Sequence, residues 1–427
     1  MKHPTRTTLG IGLALCVAFY AAAQRPEPNY DESLVPDFAL PDLLTFVSGE
    51  PVDSASSWRE RRRPELLRLF ERHVYGRTPA GPFPLRFVVR NESADALFGT
   101  ATRKEVRIFF TADDEGPFVD LLLYLPRQSR GPVPTFLGLN FYGNHSIHAD
   151  PEISLSRRWM RQTDDYGIVD NRATEKSRGV RAHRWAVSRI LERGYGLATL
   201  YYGDIDPDFD DGFDNGVHPL FDRDGRDPES WGSIGAWSWG LSRVMDYLET
   251  DDSIDRERVI VFGHSRLGKT SLWAGAQDER FAMVVSNDSG CGGAALSRRR
   301  FGETVRVINQ QFPHWFSESF RQYDDNENQL PVDQHMLLAL VAPRPVYVAS
   351  AVEDQWADPH GEFLSAFHAG PAYELLGESP LPASKMPGVE APAIGTIGYH
   401  VRRGGHDVTD YDWERFMDFA DRHLPQK

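Results

Sequence analysis

The chain has 427 residues, of which 41% are hydrophobic and 26% charged, and its formal net charge is −15 at pH 7. So acidic a chain is not expected to bind nucleic acid, because phosphate binding depends on clustered Lys and Arg. Its length suits either several domains or one α/β domain with large insertions, and we expect it to need neither a cofactor nor a metal.

The first 23 residues have the three parts of a signal peptide. Two basic residues precede an apolar stretch over residues 9–20, and Ala21-Ala22-Ala23 supplies small residues for cleavage. The apolar stretch is shorter than the roughly 20 residues that a spanning helix needs. We therefore expect a secreted or periplasmic protein without a membrane span, whose mature chain begins near Gln24. Cys291 is then its only cysteine, which excludes an intramolecular disulfide.

Residues 24–427 are expected to form one domain that starts with an irregular arm, rich in Pro and Asp, to about residue 60. A helical stripe predicts the first helix, and short apolar or alternating runs after it predict strands. The predicted helices cover residues 63–75, 181–193, 234–249, 266–276, 332–340, 361–367 and 411–423. The predicted strands cover residues 85–89, 105–110, 119–125, 135–140, 196–202, 259–263, 283–286, 346–351 and 394–401. A long irregular insertion is expected over residues 290–329.

The early predicted strands follow one another directly, whereas the later strands alternate with helices. Such alternation predicts a mainly parallel sheet that is covered by helices on both faces. Antiparallel strands at the start and parallel strands afterwards are the order of the α/β-hydrolase fold. We therefore predict a three-layer α/β-hydrolase fold with inserted loops around its active site.

A buried strand over residues 258–263 runs into Ser265, and the residues after it continue as a helix. A strand that turns sharply into a helix exposes the serine oxygen and brings backbone N–H groups close to a developing oxyanion. The usual pattern is G-x-S-x-G. Here Gly263 keeps the first glycine position, but Leu267 occupies the second, and the glycine follows one residue later at Gly268. We interpret Ser265 as a nucleophile; the alternative is a serine that only caps the helix.

A serine nucleophile needs a histidine base and a carboxylate that orients the base. His406 follows two glycines in a turn before the terminal helix, whereas His400 lies within a predicted strand and is expected to be packed there. Asp288 and Asp354 each lie just past a predicted strand, and both preserve the chain order Ser, acid, His. The usual hydrolase plan favours the later acid, Asp354, but the sequence leaves both candidates open.

The string Ser265-Arg266-Leu267-Gly268-Lys269 resembles the G-C-S-R-x-G-K signature of the glucuronoyl esterases, carbohydrate esterase family 15, of bacterial type. The likeness extends to residues 235–240, 287–293 and 405–407, and it covers most of the mature chain. The resemblance implies hydrolysis of the esters that join glucuronic or 4-O-methylglucuronic acid of glucuronoxylan to lignin alcohols. These lignin–carbohydrate esters are therefore the expected substrate and partner, and we expect a monomer.

The resemblance also implies roles for four further residues. Arg266 matches the family arginine that helps to hold the oxyanion, and Lys269 matches a lysine that contacts sugar hydroxyls. Glu303 and Trp356 match a glutamate and a tryptophan that contact the uronate.

Two positions depart from the family pattern. His264 replaces the Cys of G-C-S-R, so a disulfide from this turn to Cys291 cannot form. The family acid often follows the sixth strand, where this chain has Asp288, which is one methylene shorter than the Glu often found there. Some bacterial members carry an acid at the later position, which Asp354 matches.

Six aspartates lie between Asp204 and Asp214, a spacing that resembles a calcium loop. Pro207 interrupts the pattern, however, and no Glu closes it. We expect a solvated loop or a loop at the substrate rim. The basic triplet Arg298-Arg299-Arg300 is likewise expected to be solvated or to pair with local acids.

Two other functions fit the same residues. An acetyl-xylan esterase or general carboxylesterase would share the fold and the nucleophile. A non-catalytic carbohydrate-binding protein is the third hypothesis, and the intact set of serine, acid and histidine argues against it.

Overall fold

The computed structural model describes residues 27–425, so the predicted signal peptide lies outside the described residues. Within them, no helix is both long enough and apolar enough to cross a membrane. The strands of the central sheet are β1 (Arg86–Asp95), β2 (Ala101–Phe109), β3 (Phe118–Pro126), β4 (Val133–Asn140), β5 (Gly196–Tyr201), β6 (Ile254–His264), β7 (Met283–Asn287), β8 (Val346–Ala351), β9 (Ala393–Ile394) and β10 (Ile397–Arg402). The main helices are α1 (Arg63–Phe70), α2 (Val187–Glu192), α3 (Ser233–Leu248), α4 (Arg266–Gln277), α5 (Val305–Gln311), α6 (Gln334–Ala339), α7 (Pro359–His368), α8 (Gly370–Leu375) and α9 (Asp410–His423).

The sheet has the strand order β1-β2-β3-β5-β4-β6-β7-β8-β10-β9. Strands β1, β2, β3 and β5 pair antiparallel, and β9 pairs antiparallel with β10. All pairs from β5 through β4, β6, β7 and β8 to β10 are parallel. The predicted α/β-hydrolase fold, with antiparallel strands first and parallel strands afterwards, is confirmed.

Alternate residues of the buried strands serve the two faces of the sheet. On β6, Val259 and Val261 belong to the core that includes α3 and α4, whereas Ile260 and Phe262 belong to the core that includes α2 and α9. The ring of Phe262 lies 4.8 Å from the ring of Trp413 in α9. Because both faces are covered, β6 is apolar on both sides, as is typical of a parallel sheet.

The parallel strands all end at one edge of the sheet, and the loops that follow them carry the polar residues of interest. In open α/β sheets this carboxyl edge is where ligands bind. The loops after β5, β6, β7, β8 and β10 contain, respectively, Asp208, Ser265, Asp288, Asp354 and His406.

Two predicted helices differ from the structure by more than two residues at their start. The helix predicted over residues 63–75 belongs to a helical segment that begins earlier, at Ala55, and includes wider π-type turns. The helix predicted over residues 181–193 shortens to α2, because Trp185 and Ala186 leave the helical conformation. Helix α8 had no counterpart in the prediction.

The insertion over residues 290–329 is not wholly irregular, as the sequence had suggested. It contains α5, whose first turn is capped by Thr304, since its hydroxyl accepts a hydrogen bond from Val307 N at 3.4 Å. The strand predicted over residues 394–401 is also wrong as a single strand. It is split into β9 and β10 around Gly395, where a side chain would lie 2.0 Å from the carbonyl oxygen of Pro380.

The basic triplet of this insertion pairs with acids. Arg298 and Arg299 are buried, and their guanidinium groups lie 3.1 Å from Asp333 and 2.8 Å from Asp358. Arg300 is more exposed and lies 2.9 Å from Asp325. Arg298 and Arg299 therefore anchor the insertion from within rather than facing solvent.

Candidate active site

Ser265 stands at the junction of β6 and α4 in a sharp turn. Its backbone has φ 59° and ψ −130°, which is a strained conformation for a residue with a side chain. The turn is held by a hydrogen bond from Ser265 N to the carbonyl oxygen of Asn287 in β7, at 2.9 Å. A strained serine between a strand and a helix is the geometry of a nucleophile elbow.

Two glycines let this turn close. A Cβ on Gly263 would lie 1.8 Å from the carbonyl oxygen of Leu267, so no side chain fits there. A Cβ on Gly268 would lie 2.9 Å from Cβ of Ser289 and 3.2 Å from the carbonyl oxygen of Asn287. The glycine found one place late in the sequence is therefore where the start of α4 packs against the chain after β7.

His406 lies in the loop after β10, and its side chain is 40% exposed. Its Nδ1 donates a hydrogen bond to Oδ2 of Asp354 at 2.6 Å. Asp354 is almost fully buried in the loop after β8. Of the two acids that the sequence left open, Asp354 is therefore the one that contacts the histidine.

Asp288 lies close to this pair but has a different partner. Its Oδ2 accepts a hydrogen bond from Nη2 of Arg402 at 3.2 Å, and Arg402 also donates to Asp412 at 2.7 Å. Burial raises the pKa of the Asp288 carboxyl well above its usual range, although Arg402 opposes the shift. Each of Asp288, Asp354 and His406 offers an oxygen or nitrogen within 4.8 Å of the others, which could ligate a metal ion. Their existing hydrogen bonds fit an acid–base cluster better.

Arg266 is the first residue of α4, directly after the strained serine. Its Nη1 donates to Oδ2 of Asp208. Its guanidinium carbon lies 4.7 Å from the ring centre of Trp315, 5.4 Å from that of Phe312 and 5.7 Å from that of Phe141. Burial lowers the pKa of Arg266, but Asp208 more than offsets this and raises it above the usual value. The arginine is therefore a permanent cation beside the serine.

The acidic loop after β5 corrects one sequence-based expectation. Its first aspartates, Asp204, Asp206 and Asp208, are buried, and only later members such as Asp210 and Asp214 are exposed. The expectation of a solvated loop is therefore wrong for its first half. Charged side chains favour water, but Arg266 pairs with the buried carboxylate of Asp208. Burial raises the pKa of the Asp204 carboxyl to about 7.

Lys269, Glu303 and Trp356 lie next to one another. Lys269 is buried, donates to the carbonyl oxygen of Ser289 and lies 3.8 Å from Oε2 of Glu303. Glu303 N donates to the carbonyl oxygen of Trp356 at 3.0 Å. Burial raises the pKa of Glu303, and Lys269 opposes the shift. The structure thus brings the three residues singled out for sugar binding into one group.

Two buried residues that support the site, His264 and Glu362, were not predicted from the sequence. His264 donates from Nδ1 to Oδ1 of Asn287 at 2.6 Å, and its ring centre lies 4.5 Å from that of His406. Burial, followed by the charge of His406, holds the pKa of His264 well below its usual value. The second residue, Glu362, accepts hydrogen bonds from the backbone of Ser289 at 2.8 Å. Only the departure at His264 was visible beforehand, because the sequence carries no signal for Glu362.

Cys291 is a free and buried thiol. His400 is buried as expected, with hydrogen bonds to Asp412 at 2.9 Å and to Tyr347 at 2.9 Å. His400 is therefore tied into the core, whereas His406 remains accessible.

Comparison with known proteins identifies close relatives. A family model described as a fungal glucuronyl esterase matches residues 220–377. The carbohydrate esterase MZ0003 of an unknown prokaryotic organism is 54% identical over 93% of this chain and 92% of its own length. A 4-O-methyl-glucuronoyl methylesterase of Podospora anserina is 37% identical over 79% of this chain and 60% of its own length.

Solved structures resemble the chain over nearly all of its length. A promiscuous esterase of carbohydrate esterase family 15, from a marine bacterial metagenome, has a TM-score of 0.88 and 53% identity, covering 93% of this chain and 100% of that one. A glucuronoyl esterase from Solibacter usitatus has a TM-score of 0.87 and 49% identity, covering 92% of this chain and 100% of that one.

Proposed function

Because this chain belongs to the glucuronoyl esterases of carbohydrate esterase family 15, we propose that it hydrolyses the esters between (4-O-methyl-)glucuronic acid of glucuronoxylan and lignin alcohols, through an acyl-enzyme on Ser265. The observation that carries the proposal is the hydrogen bond of 2.6 Å between His406 and Asp354, in the loops beside the strained serine. An esterase of this class needs such a base, oriented by a carboxylate.

The proposed reaction has two steps. Ser265 Oγ attacks the ester carbonyl carbon, and Nε2 of His406 takes the hydroxyl proton. The tetrahedral intermediate then expels the alcohol, which receives that proton from His406, and the glucuronoyl group remains on Ser265. In the second step His406 activates a water molecule, which releases glucuronate and restores the serine. Throughout, Asp354 fixes the ring through Nδ1 and stabilises the imidazolium.

We assign the stabilisation of the oxyanion in each tetrahedral intermediate to Arg266 and to backbone N–H groups at the start of α4. These groups lie at the strand–helix junction, where the negative charge develops. Arg266 keeps its charge, since the adjacent Asp208 raises its pKa. One donor to an oxyanion is worth about 3 kcal/mol of transition-state stabilisation.

The uronate part of the substrate is assigned to Lys269, Glu303 and Trp356. Lys269 and Glu303 form a buried pair 3.8 Å apart, and Trp356 is half-buried. A charged pair can hydrogen-bond to sugar hydroxyls, and an indole face can pack on a pyranose ring. The three residues together therefore offer both kinds of contact that a sugar requires.

A broader carboxylesterase activity is the second candidate. The solved relative with 53% identity is described as promiscuous, and an acetyl group needs only a small pocket. Nothing in the geometry of Ser265, His406 and Asp354 distinguishes an acetyl from a glucuronoyl ester. The residues that bind the acyl group therefore determine which ester is hydrolysed faster.

The decisive experiment compares two esters with the same leaving alcohol, benzyl glucuronate and benzyl acetate. We expect kcat/KM to favour the glucuronate by at least about a hundredfold, because acetate has neither the hydroxyls nor the sugar ring that Lys269, Glu303 and Trp356 would contact. Equal or better hydrolysis of the acetate would favour the general carboxylesterase. The Ser265→Ala variant serves as the background control for both substrates.

A further inference from the structure

Asp208 lies on a different loop from the nucleophile, and each of its carboxylate oxygens accepts two hydrogen bonds. Its side chain is 1% exposed. Oδ1 accepts hydrogen bonds from Nε2 of His314 at 2.9 Å and from Nε1 of Trp315 at 2.7 Å. Oδ2 accepts from the hydroxyl of Tyr202 at 3.0 Å and from Arg266. The donors come from the end of β5, from α4 and from the insertion, so this one carboxylate ties three segments together.

These four donors keep the carboxylate charged in spite of its burial. Burial raises the pKa of Asp208, but Arg266 and then His314 and Trp315 outweigh it, and the pKa lies well below the usual range. Asp208 is consequently an anion at neutral pH.

A buried ion pair of this kind contributes little to stability when compared with apolar side chains of the same volume. It does, however, restrict the long and flexible side chain of the arginine to one position. Trp315, which donates to Asp208, also lies 4.7 Å from the guanidinium carbon of Arg266. Trp315 thus contacts both members of the ion pair: it donates a hydrogen bond to Asp208 and packs on the guanidinium of Arg266.

We propose that Asp208 is a positioning residue, which holds the guanidinium of Arg266 in the place where it meets the oxyanion that forms when Ser265 attacks the ester. This inference rests on the proposed function of Arg266. A donor stabilises a transition state only if its position is fixed before the charge develops. Asp208 acts through Arg266 alone and does not touch the substrate.

The test is a double-mutant cycle with benzyl glucuronate. Asp208→Asn keeps the shape but removes the charge, and we expect kcat to fall by about tenfold or more, with KM changed less than about threefold. In the Arg266→Ala background the same substitution is expected to cause no further loss, because the residue on which it acts is absent. The exposed acid of the same loop, Asp210, provides the matched control, and Asp210→Asn should leave kcat unchanged.

A gentler variant covers the case in which Asp208→Asn does not fold. Tyr202→Phe removes only the hydroxyl that donates to Oδ2 of Asp208, the oxygen that also accepts from Arg266. We expect a kcat loss of a few fold, which should vanish in the Arg266→Ala background. A loss of the same factor in both backgrounds, or an unchanged kcat in both single variants, would overturn the inference.

The failure of the inference and the failure of the proposed function give different results. If the wild type does not hydrolyse benzyl glucuronate, the proposed function fails. If Arg266→Ala itself leaves kcat unchanged, Arg266 does not hold the oxyanion, and the oxyanion role of Arg266 and the positioning role of Asp208 both fail. If Arg266→Ala lowers kcat while the Asp208 and Tyr202 variants do not, or lower it independently, only the positioning role is wrong.

Discussion

Replacing each of the two candidate acids by its amide separates their roles. Asp354→Asn keeps the shape of the side chain beside His406, but the amide can donate to Nδ1 and so favours the wrong tautomer of the ring. In a serine–histidine–aspartate site such a change lowers kcat by about 10⁴-fold. At 1.36 kcal/mol for each factor of ten, this corresponds to about 5 kcal/mol of transition-state stabilisation.

Asp288→Asn is expected to be much milder. Its oxygen is bonded to Arg402 rather than to His406, and Arg402 keeps its second partner, Asp412, at 2.7 Å. Burial already penalises the charged form of Asp288, as its raised pKa indicates. We therefore expect a kcat loss of less than about tenfold, since the substitution leaves the hydrogen bond between His406 and Asp354 intact.

The assay measures kcat and KM for benzyl glucuronate at pH 7 in the wild type and in both variants. Thermal unfolding of each variant provides the control for folding. If Asp288→Asn costs more activity than Asp354→Asn in two equally folded proteins, the orientation of His406 has been attributed to the wrong acid.

Three further predictions concern stability, the turn and the sugar. Burial raises the pKa of Glu362 to about 7. The folded chain therefore keeps a proton on this carboxyl that the unfolded chain loses above pH 4.5. Because of this group, the free energy of unfolding should fall by on the order of 3 kcal/mol as the pH rises from 4.5 to 7. Glu362→Gln should flatten that slope in chemical unfolding at pH 5 and pH 8, and parallel wild-type and variant curves would contradict it. Gly268→Ala should destabilise the fold by at least about 1 kcal/mol through overpacking, whereas Gly131→Ala, where a Cβ meets nothing within 4 Å, should leave the melting temperature unchanged; equal melts would argue against the tight turn. Lys269→Met should raise KM for benzyl glucuronate but not for benzyl acetate, and an equal rise for both would exclude a sugar contact.

The sequence predicted the fold class because its main signals are local. The apolar strand before Ser265 and the helix after it follow from residue patterns, and β6 and α4 lie where these patterns placed them. The family was also predicted from the string around Ser265, and the relatives confirm it. The displaced glycine made the string look irregular, but Gly268 packs against Ser289, which only the tertiary structure reveals.

The partners of the site residues could not be predicted, because they lie far apart in the chain. Asp288 and Asp354 both follow strands that end at the same edge of the sheet, and the usual hydrolase plan favours Asp354 whereas the family position matches Asp288, so the sequence leaves both open. In the structure Asp354 contacts His406, whereas Asp288 binds Arg402. Asp208 was expected in a solvated loop for the same reason. Its ion pair with Arg266 joins two distant parts of the chain and leaves no local pattern in the sequence.

The central claim, that Ser265 is the nucleophile of a glucuronoyl esterase, is tested most directly by the activity of the Ser265→Ala variant on benzyl glucuronate. The claim predicts that the wild type hydrolyses this ester and that the folded variant loses at least about 10⁴-fold in kcat/KM, since removing the nucleophile abolishes the acyl-enzyme. A folded Ser265→Ala protein that retains activity within tenfold of the wild type would contradict it.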